Sequence, residues 1–349
     1  MTGIRLSAQP GVAAALVAAA LFGAGTPLAK LLLADVSPWM LAALLYLGSG
    51  LGLSLLRLVR RSPPVRLPEP DRLWLAGAVL AGGVAGPVLL MLGLSRMPAS
   101  GASLLLNAEG VFTALLAWFA FRENFDRRIA LGMGAIVAGA LVLSWPGEAR
   151  FGDAWPALAV LSACLAWAVD NNLTRKVALN DATWIASVKG LAAGSVNLLL
   201  AFWLGSALPS TPALAGALVL GFAAYGISLA LFVVGLRHLG TARTGAYFSI
   251  APFFGAVLAV LGLGEPVSTG LLVAGALMAL GVWLHLTEHH GHAHTHEPIE
   301  HDHEHEHDVH HAHGHASGDA AVRHGHRHRH EALTHSHAHF PDEHHRHSH

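Results

Sequence analysis

Long apolar stretches alternate with short polar connections over the first 286 residues. Each apolar stretch is about 20 residues long, which is the length that an α-helix needs to cross the ~30 Å hydrocarbon core of a bilayer. Several connections contain Pro or Gly, residues that end helices. The pattern predicts an all-α integral membrane protein with ten transmembrane helices. They lie at residues 11–33, 38–57, 73–95, 98–121, 128–146, 154–173, 182–204, 213–236, 242–264 and 267–286.

Composition agrees with a membrane protein and excludes several other classes. Hydrophobic residues make up 53% of the chain and charged residues only 12%, against about a quarter charged in soluble domains. The single cysteine, Cys164, excludes an intramolecular disulfide and a cysteine-rich metal site. The net charge of −1 gives no reason to expect nucleic acid as a partner. Because the apolar part contains no nucleophile motif and no P-loop, we do not expect an enzyme.

The positions of Lys and Arg predict the orientation of the spans, because basic loops are retained on the cytoplasmic side of a membrane. With the N-terminus inside, the cytoplasmic segments hold thirteen Lys and Arg residues. The opposite side holds three, which are Lys30, Arg96 and Arg150. An even number of spans then returns the C-terminal segment to the cytoplasm.

An internal repeat divides the apolar part into two halves. Val111–Ala117 can be laid on Phe253–Ala259 with an offset of 142 residues. The halves are residues 1–146 and 147–286, with five spans each. Because five is odd, the second half must be inverted relative to the first. Inverted repeats are the usual architecture of secondary transporters, and their substrate site lies near the bilayer midplane between the halves.

Each half carries an apolar helix that runs into a glutamate, as Phe119-Ala120-Phe121-Arg122-Glu123 and Leu261-Gly262-Leu263-Gly264-Glu265. In this respect, and in its ten spans, the chain resembles the drug/metabolite transporter (DMT) superfamily, EamA type, over residues 11–286. It departs from the family pattern at Gly110, where the second half has Pro252. The resemblance implies transport but no particular substrate, since members carry amino acids, drugs, nucleotide sugars and other metabolites. The chain also resembles a branch with histidine-rich tails that is linked to nickel and cobalt resistance.

Glu109 is the clearest candidate for a functional residue in the membrane. An ionisable side chain at the bilayer centre costs at least ~2.5 kcal/mol, so it is expected to serve a function. A desolvated carboxyl group there can hold either a proton or a cation and exchange one for the other. Asn107 lies two residues earlier, about 160° away around a regular helix. Both residues can face one site only if the helix is broken, which Gly110 makes feasible. The alternative for Glu109 is a purely structural role, in a hydrogen bond or an ion pair between helices.

Further polar residues lie in the sixth, seventh and first predicted spans. Asp170, Asn171 and Asn172 follow one another in the sixth span, so that at most two of them face a central cavity. Lys189 needs a partner, either Glu109 or Asp170, or it extends its ammonium group toward the cytoplasmic face. Thr26 precedes Pro27, which frees a backbone carbonyl for a substrate or makes a lipid-facing kink.

Residues 287–349 form a separate histidine-rich tail. It contains 24 of the 26 histidines, and four Arg against eleven Asp and Glu. Because it has almost no apolar content, we predict that it is disordered without metal. Neutral imidazole binds Ni, Co, Zn and Cu(II), and His-x-His spacing lets two rings reach one ion. The candidate ligands are His301, His303, His305, His307, His310, His311, His313 and His315.

Three functions are compatible with these features. The first is an inner-membrane, proton-coupled secondary exporter of divalent cations, nickel or cobalt foremost, with the tail supplying or buffering metal at the cytoplasmic entrance. The second is an exporter of a small organic metabolite or drug. The third is a membrane-anchored metal sensor or regulator. Transport requires no cofactor in any of these, the partners are the lipid bilayer and a small-molecule or metal-ion substrate, and a homodimer is compatible with the sequence.

Overall fold

The computed structural model describes residues 10–65, 67–121, 127–144, 154–174, 177, 181–235, 247–287, 291–296, 300–305, 324–329 and 333–338. The chain divides into two units, Met1–Thr287 and Glu288–His349. The described elements of the first unit are helices. They are α1 (Pro10–Leu32), α2 (Pro38–Val59), α3 (Glu69–Ala78), the π-helix π1 (Val79–Ala85), α4 (Gly86–Arg96), α5 (Ala99–Leu105), α6 (Ala108–Phe121), α7 (Arg127–Ser144), α8 (Trp155–Thr174), α9 (Ala182–Trp203), α10 (Thr211–Leu220), the π-helix π2 (Gly221–Ile227), α11 (Ala251–Leu263) and α12 (Thr269–Leu286).

Within the described residues, six helices are long and apolar enough to cross a membrane. They are Gly11–Leu32, Pro38–Val59, Asp71–Arg96, Trp155–Thr174, Ala182–Trp203 and Thr211–Gly235. These six coincide with the first three predicted spans of each half. The other four predicted spans contain shorter helices, namely α5 with α6, α7, α11 and α12. The prediction of a helical membrane protein is confirmed, and the number of ten spans stays a prediction.

Two kinds of irregularity recur in both halves. The π-helices π1 and π2 begin at Val79 and Gly221, which are 142 residues apart, the offset of the sequence repeat. The predicted span at 98–121 is broken by a turn at Leu106 and Asn107. Residues 249 and 250 form the matching turn before α11. The break in the first half therefore forms although Gly110 replaces the proline found at position 252.

Glycines allow the two halves to pack closely along α2. A Cβ atom on Gly50 would lie 2.4 Å from the backbone nitrogen of Leu191 in α9, and one on Gly190 would lie 2.6 Å from the backbone nitrogen of Gly50. A Cβ atom on Gly48 would lie 2.2 Å from the carbonyl oxygen of Leu218 in α10. Small residues at such crossings let helix backbones approach, which is how helices associate in lipid. The contacts of α2 thus join the halves around a core of fully buried side chains. These include Leu41, Leu45, Leu90, Met91 and Leu105.

The second unit contains strands in its described residues, where we predicted disorder. They are β1 (Gly291–His296), β2 (Glu300–His305), β3 (His324–Arg329) and β4 (Leu333–Ala338). β1 pairs with β4 and β2 pairs with β3, and both pairs are antiparallel. The prediction of a disordered tail is therefore not confirmed. The physical reason for the difference is the alternation of His with another residue, a period of two that suits the two faces of a strand.

Candidate functional site

Glu109 lies at the start of α6, immediately after the break that separates this helix from α5. Its Oε1 accepts a hydrogen bond of 2.8 Å from Nδ2 of Asn171 in α8. The same nitrogen atom lies 3.4 Å from Oγ1 of Thr113. In the part of the chain that the structure describes, no basic side chain lies within ion-pair distance of Glu109. A helix N-terminus stabilises a negative charge, so the broken helix helps to hold this carboxyl group inside the membrane.

The second intramembrane carboxyl group, that of Asp170 in α8, is paired. Nζ of Lys189 in α9 donates to its Oδ1 at 2.5 Å and to its Oδ2 at 2.7 Å. Oγ1 of Thr174, one turn further along α8, donates to Oδ1 at 2.8 Å. The side chains of Lys189 and Asp170 are only 16% and 9% exposed. Of the two partners predicted for Lys189, the structure selects Asp170, and the pair has no net charge.

Space for this pair is provided by π1. A Cβ atom on Gly82 would lie 2.0 Å from Oδ2 of Asp170. The carbonyl oxygen of Gly82 accepts hydrogen bonds from the Tyr46 hydroxyl at 2.7 Å and from Nε1 of Trp167 at 2.9 Å. The next carbonyl, that of Gly83, accepts from Nδ2 of Asn197 at 3.0 Å. π-Helical turns shift the backbone hydrogen-bonding pattern and recur at functional sites, and here three neighbouring helices donate to the carbonyls of one such turn.

A row of aromatic side chains continues from Tyr46 across the two halves. The ring centroids of Tyr46 and Tyr225 are 5.8 Å apart, as are those of Tyr225 and Phe22. Phe22 also lies 5.3 Å from Phe248, whose ring is 4.8 Å from that of Phe232. All of these side chains are half-buried. The row therefore combines apolar surface with the hydroxyl group of Tyr46 next to the polar cluster.

Residues 9–145 and 154–287 each match the EamA-like transporter family. The chain belongs to this family. The predicted membership of the drug/metabolite transporter superfamily is thereby confirmed, and the protein is a multi-pass membrane protein of a family of transporters.

Individual relatives of this EamA-type protein have names that describe transport. An uncharacterized transporter of Methanothermobacter thermautotrophicus is 28% identical over 293 residues, which cover 78% of this chain and 85% of that protein. The uncharacterized inner membrane transporter YedA of Escherichia coli K12 is 25% identical over 261 residues, or 71% and 83% of the two chains. A solved crystal structure superposes with a TM-score of 0.60 at 21% identity and covers 78% of this chain and 95% of that one. This last likeness concerns the fold alone.

One further relative matches only part of this chain. The probable 4-amino-4-deoxy-L-arabinose-phosphoundecaprenol flippase subunit ArnE of Pseudomonas fluorescens is 39% identical over 85 residues. These residues make up 24% of this chain and 74% of the flippase subunit.

Three of the predicted site residues lie apart from the pairs around Glu109 and Asp170. Nδ2 of Asn107 donates to the carbonyl oxygen of Leu104 at 2.9 Å, so this side chain closes the end of α5. Asn172 donates to the carbonyl oxygens of Ala168 and Thr113 at 2.9 and 3.4 Å and therefore binds helix backbone. Thr26 is buried in α1, which continues through Pro27 without a break.

A second polar cluster ties the turn between α4 and α5. Nζ of Lys30 donates to the carbonyl oxygens of Leu94 and Met97 at 2.6 and 2.9 Å. The carboxylate of Glu265 accepts from the backbone nitrogens of Ala99 and Ser100 at 2.7 and 2.9 Å. Glu265 thus caps α5 from a distant loop. Its repeat counterpart in the sequence, Glu123, lies outside the described residues.

Metal ligands were predicted in the tail. Among the described residues, no group of three or more His, Cys, Asp or Glu side chains could hold a metal ion. His301, His303 and His305 lie in β2. The other predicted ligands lie outside the described residues. They are His307, His310, His311, His313 and His315.

Proposed function

We propose that this protein is an inner-membrane secondary transporter that exports a cation in exchange for a proton, with Glu109 as the exchange site. The observation that carries the proposal is the difference between the two intramembrane carboxyl groups. Asp170 is neutralised by Lys189, whereas Glu109 is hydrogen-bonded to the neutral amide of Asn171. Of these two carboxyl groups, only that of Glu109 is therefore available to bind and release a positive charge.

Exchange follows from the cost of moving an uncompensated charge through the bilayer. A carboxylate that faces hydrocarbon is stabilised when it is protonated or when it pairs with a cation. Since one carboxyl group cannot hold both, the arrival of a proton releases the cation. The bundle would expose the site to the other side of the membrane only when Glu109 is protonated or has a cation bound, and this rule couples the two fluxes.

The cation that we propose is a divalent transition-metal ion, nickel or cobalt first. Beside the carboxylate of Glu109, Thr113 offers a hydroxyl oxygen, and Asn171 would offer its amide oxygen once the amide, whose Nδ2 faces both residues, turns over. Such ligands hold a metal ion that retains several of its waters, and weak binding suits a transporter that must release its substrate. The preference for transition metals comes from the tail, where 24 histidines would raise the local ion concentration at the cytoplasmic entrance.

A small organic solute is the second candidate, and the aromatic row favours it. Phe22, Tyr46 and Tyr225 are half-buried and their rings lie in a row. The Tyr46 hydroxyl group ends this row at the carbonyl oxygen of Gly82, beside Asp170. Aromatic side chains with a few polar groups are typical of sites for organic ligands. ArnE, the partial relative, is named as a flippase subunit for a lipid-linked sugar. In this case the tail would buffer metal and would not supply the substrate.

Metal accumulation in cells separates the two candidates. The full-length protein should lower cellular nickel and cobalt, Glu109→Gln should restore the level of cells without transporter, and deletion from Glu288 onward should have a partial effect. The deletion retains Thr287, whose hydroxyl group contacts Arg128. Glu69→Gln is the matched control, because Glu69 is 87% exposed at the start of α3. Equal metal contents in all variants would remove the metal proposal and leave the organic solute.

A further inference from the structure

Histidine faces histidine along both strand pairs of the tail. In the β1–β4 pair, the Cα partners include His292 with His337 and His294 with His335. In the β2–β3 pair, the partners are His301 with His328, His303 with His326, and His305 with His324. Ten of the eleven histidines in these four strands therefore have a histidine directly opposite, and only His296 does not.

Three of the seven remaining cross-strand pairs are complementary as well. In the β2–β3 pair, Glu300 is opposite Arg329 and Asp302 is opposite Arg327. In the β1–β4 pair, Thr295 is opposite Thr334. Opposite charges and Thr–Thr pairs across antiparallel strands each stabilise a ladder, by about 0.2–1 kcal/mol. A shift of one strand by one residue would place histidine opposite other residue types, so the alternation disfavours a one-residue slip of either ladder.

The spacing of opposed residues suits metal binding. Directly opposite residues in an antiparallel pair have Cβ atoms about 4.5–5.5 Å apart, and residues two apart on a strand lie on the same face. Two imidazole groups at such positions can bind one ion of Ni, Zn or Cu(II), for which neutral imidazole is a good ligand. A ladder with two or three such pairs would hold several ions in a line.

We propose that the opposed histidine pairs are two-imidazole metal sites and that metal binding and strand pairing in the tail are thermodynamically coupled. Isolated two-stranded ladders are marginally stable. An ion that binds imidazole groups of both strands gains ligands that a His-x-His pair of the unpaired chain does not supply, and so it stabilises the paired state. The tail is then a metal-dependent fold. The proposal deepens the metal-supply role given to the tail under the proposed function, and its test does not depend on transport.

Spin labels on the face opposite to the histidines would report pairing directly. Ala293 and Ser336 are Cα partners, and each alternates with the paired histidines of its strand. Nitroxides would be attached to cysteines at these positions in the full-length protein, in a Cys164→Ala background and in detergent. We expect zinc to bring the two nitroxides together and so to increase the dipolar broadening of their spectrum, which should be small without metal. Zinc is diamagnetic and adds no broadening of its own.

Substitutions then identify the ligands. His294→Ala and His335→Ala should each reduce the zinc-dependent broadening or raise the zinc concentration that it requires, and the double variant should be no worse than either single one, since the site needs both rings. His344→Ala with His345→Ala is the matched control, which removes two histidines that lie outside the described strands and are not among the predicted ligands, and it should change little. The proposal would be overturned by a spectrum that does not respond to zinc, by an equal loss in the control, or by additive effects of the two single substitutions.

Discussion

Lys189 binds both carboxylate oxygens of Asp170, and this contact decides which of the two intramembrane acids is left for function. The side chains come from adjacent helices, α8 and α9, and are nearly buried. The pair has no net charge, and Asp170 packs against Gly82 of π1. We therefore assign the pair to the packing of the helices and not to ion binding. Glu109 accepts a hydrogen bond from Asn171, the next residue of α8, and has no basic side chain within ion-pair distance in the described part of the chain.

The ion pair can be tested by a double-mutant cycle. Lys189→Met leaves the Asp170 carboxylate buried without a counter-ion and should lower the free energy of unfolding by about 3 kcal/mol. Lys189→Glu should be worse, because two carboxylates would then meet. Lys189→Met combined with Asp170→Asn should recover much of the loss. Thermal unfolding in detergent measures these variants together with the wild-type protein and the single variant Asp170→Asn. Simple additivity of the effects of Lys189→Met and Asp170→Asn would exclude the pair.

Gly82→Ala tests the space that π1 leaves for Asp170. The new Cβ atom would lie 2.0 Å from Oδ2 of Asp170, so the helices must move apart at a cost of about 1–3 kcal/mol. Gly134→Ala in α7 is the control, because nothing lies within 4 Å of its Cβ position, and alanine favours helix there by about 1 kcal/mol. We expect opposite shifts of the melting temperature. Equal shifts would mean that Gly82 makes no close approach.

Glu265 should protect the start of α5. Glu265→Ala removes the acceptor of the backbone N–H groups of Ala99 and Ser100, a loss of about 1–2 kcal/mol for a helix cap. Amide hydrogen exchange over residues 97–103 should therefore accelerate. Glu265→Gln keeps one side-chain oxygen and should have an intermediate effect. Unchanged exchange in Glu265→Ala would show that the cap does not stabilise this turn.

Acid should weaken the start of α9. Burial opposes ionisation of Asp181, but hydrogen bonds from Thr183 and from Arg57 outweigh it and lower the pKa of the carboxyl group to about 2. A folded-state pKa below the unfolded one means that the contribution to stability is complete above about pH 4 and is lost as the pH falls through about 2. Asp181→Asn should thus cost about 1 kcal/mol at pH 7 and progressively less as the pH falls toward and below about 2. Acid unfolding curves would contradict this if the difference stayed constant.

Much of the fold could be predicted because lipid imposes strong rules on sequence. The apolar stretches located the six long helices within a few residues, and the repeat offset of 142 reappears in the spacing of π1 and π2. The close approach of Gly50 to Gly190 could not be predicted, since 38 glycines give no spacing that distinguishes these two. The strands of the tail were missed because low apolar content argued against any regular structure, although the alternation of His with other residues is also a strand pattern.

The candidate site could be predicted in part. A charge in an apolar span is conspicuous, so Glu109, Asp170 and Lys189 were identified from sequence alone. Which acid pairs with Lys189 depends on helix rotation, which the sequence does not specify. Thr113 was missed because a threonine in a membrane helix is common, and its place beside Asn171 becomes evident only once α6 packs on α8.

Proton flux driven by nickel in proteoliposomes tests the central claim most directly. The purified protein would be reconstituted with a pH indicator inside the vesicles, and a nickel gradient would be applied without a pH gradient. We predict that the wild-type protein moves nickel down its gradient and protons in the opposite direction. Glu109→Gln should move neither nickel nor protons, while Glu69→Gln should behave as the wild-type protein. Nickel-dependent proton movement of equal size in Glu109→Gln would contradict the assignment of Glu109 as the exchange site.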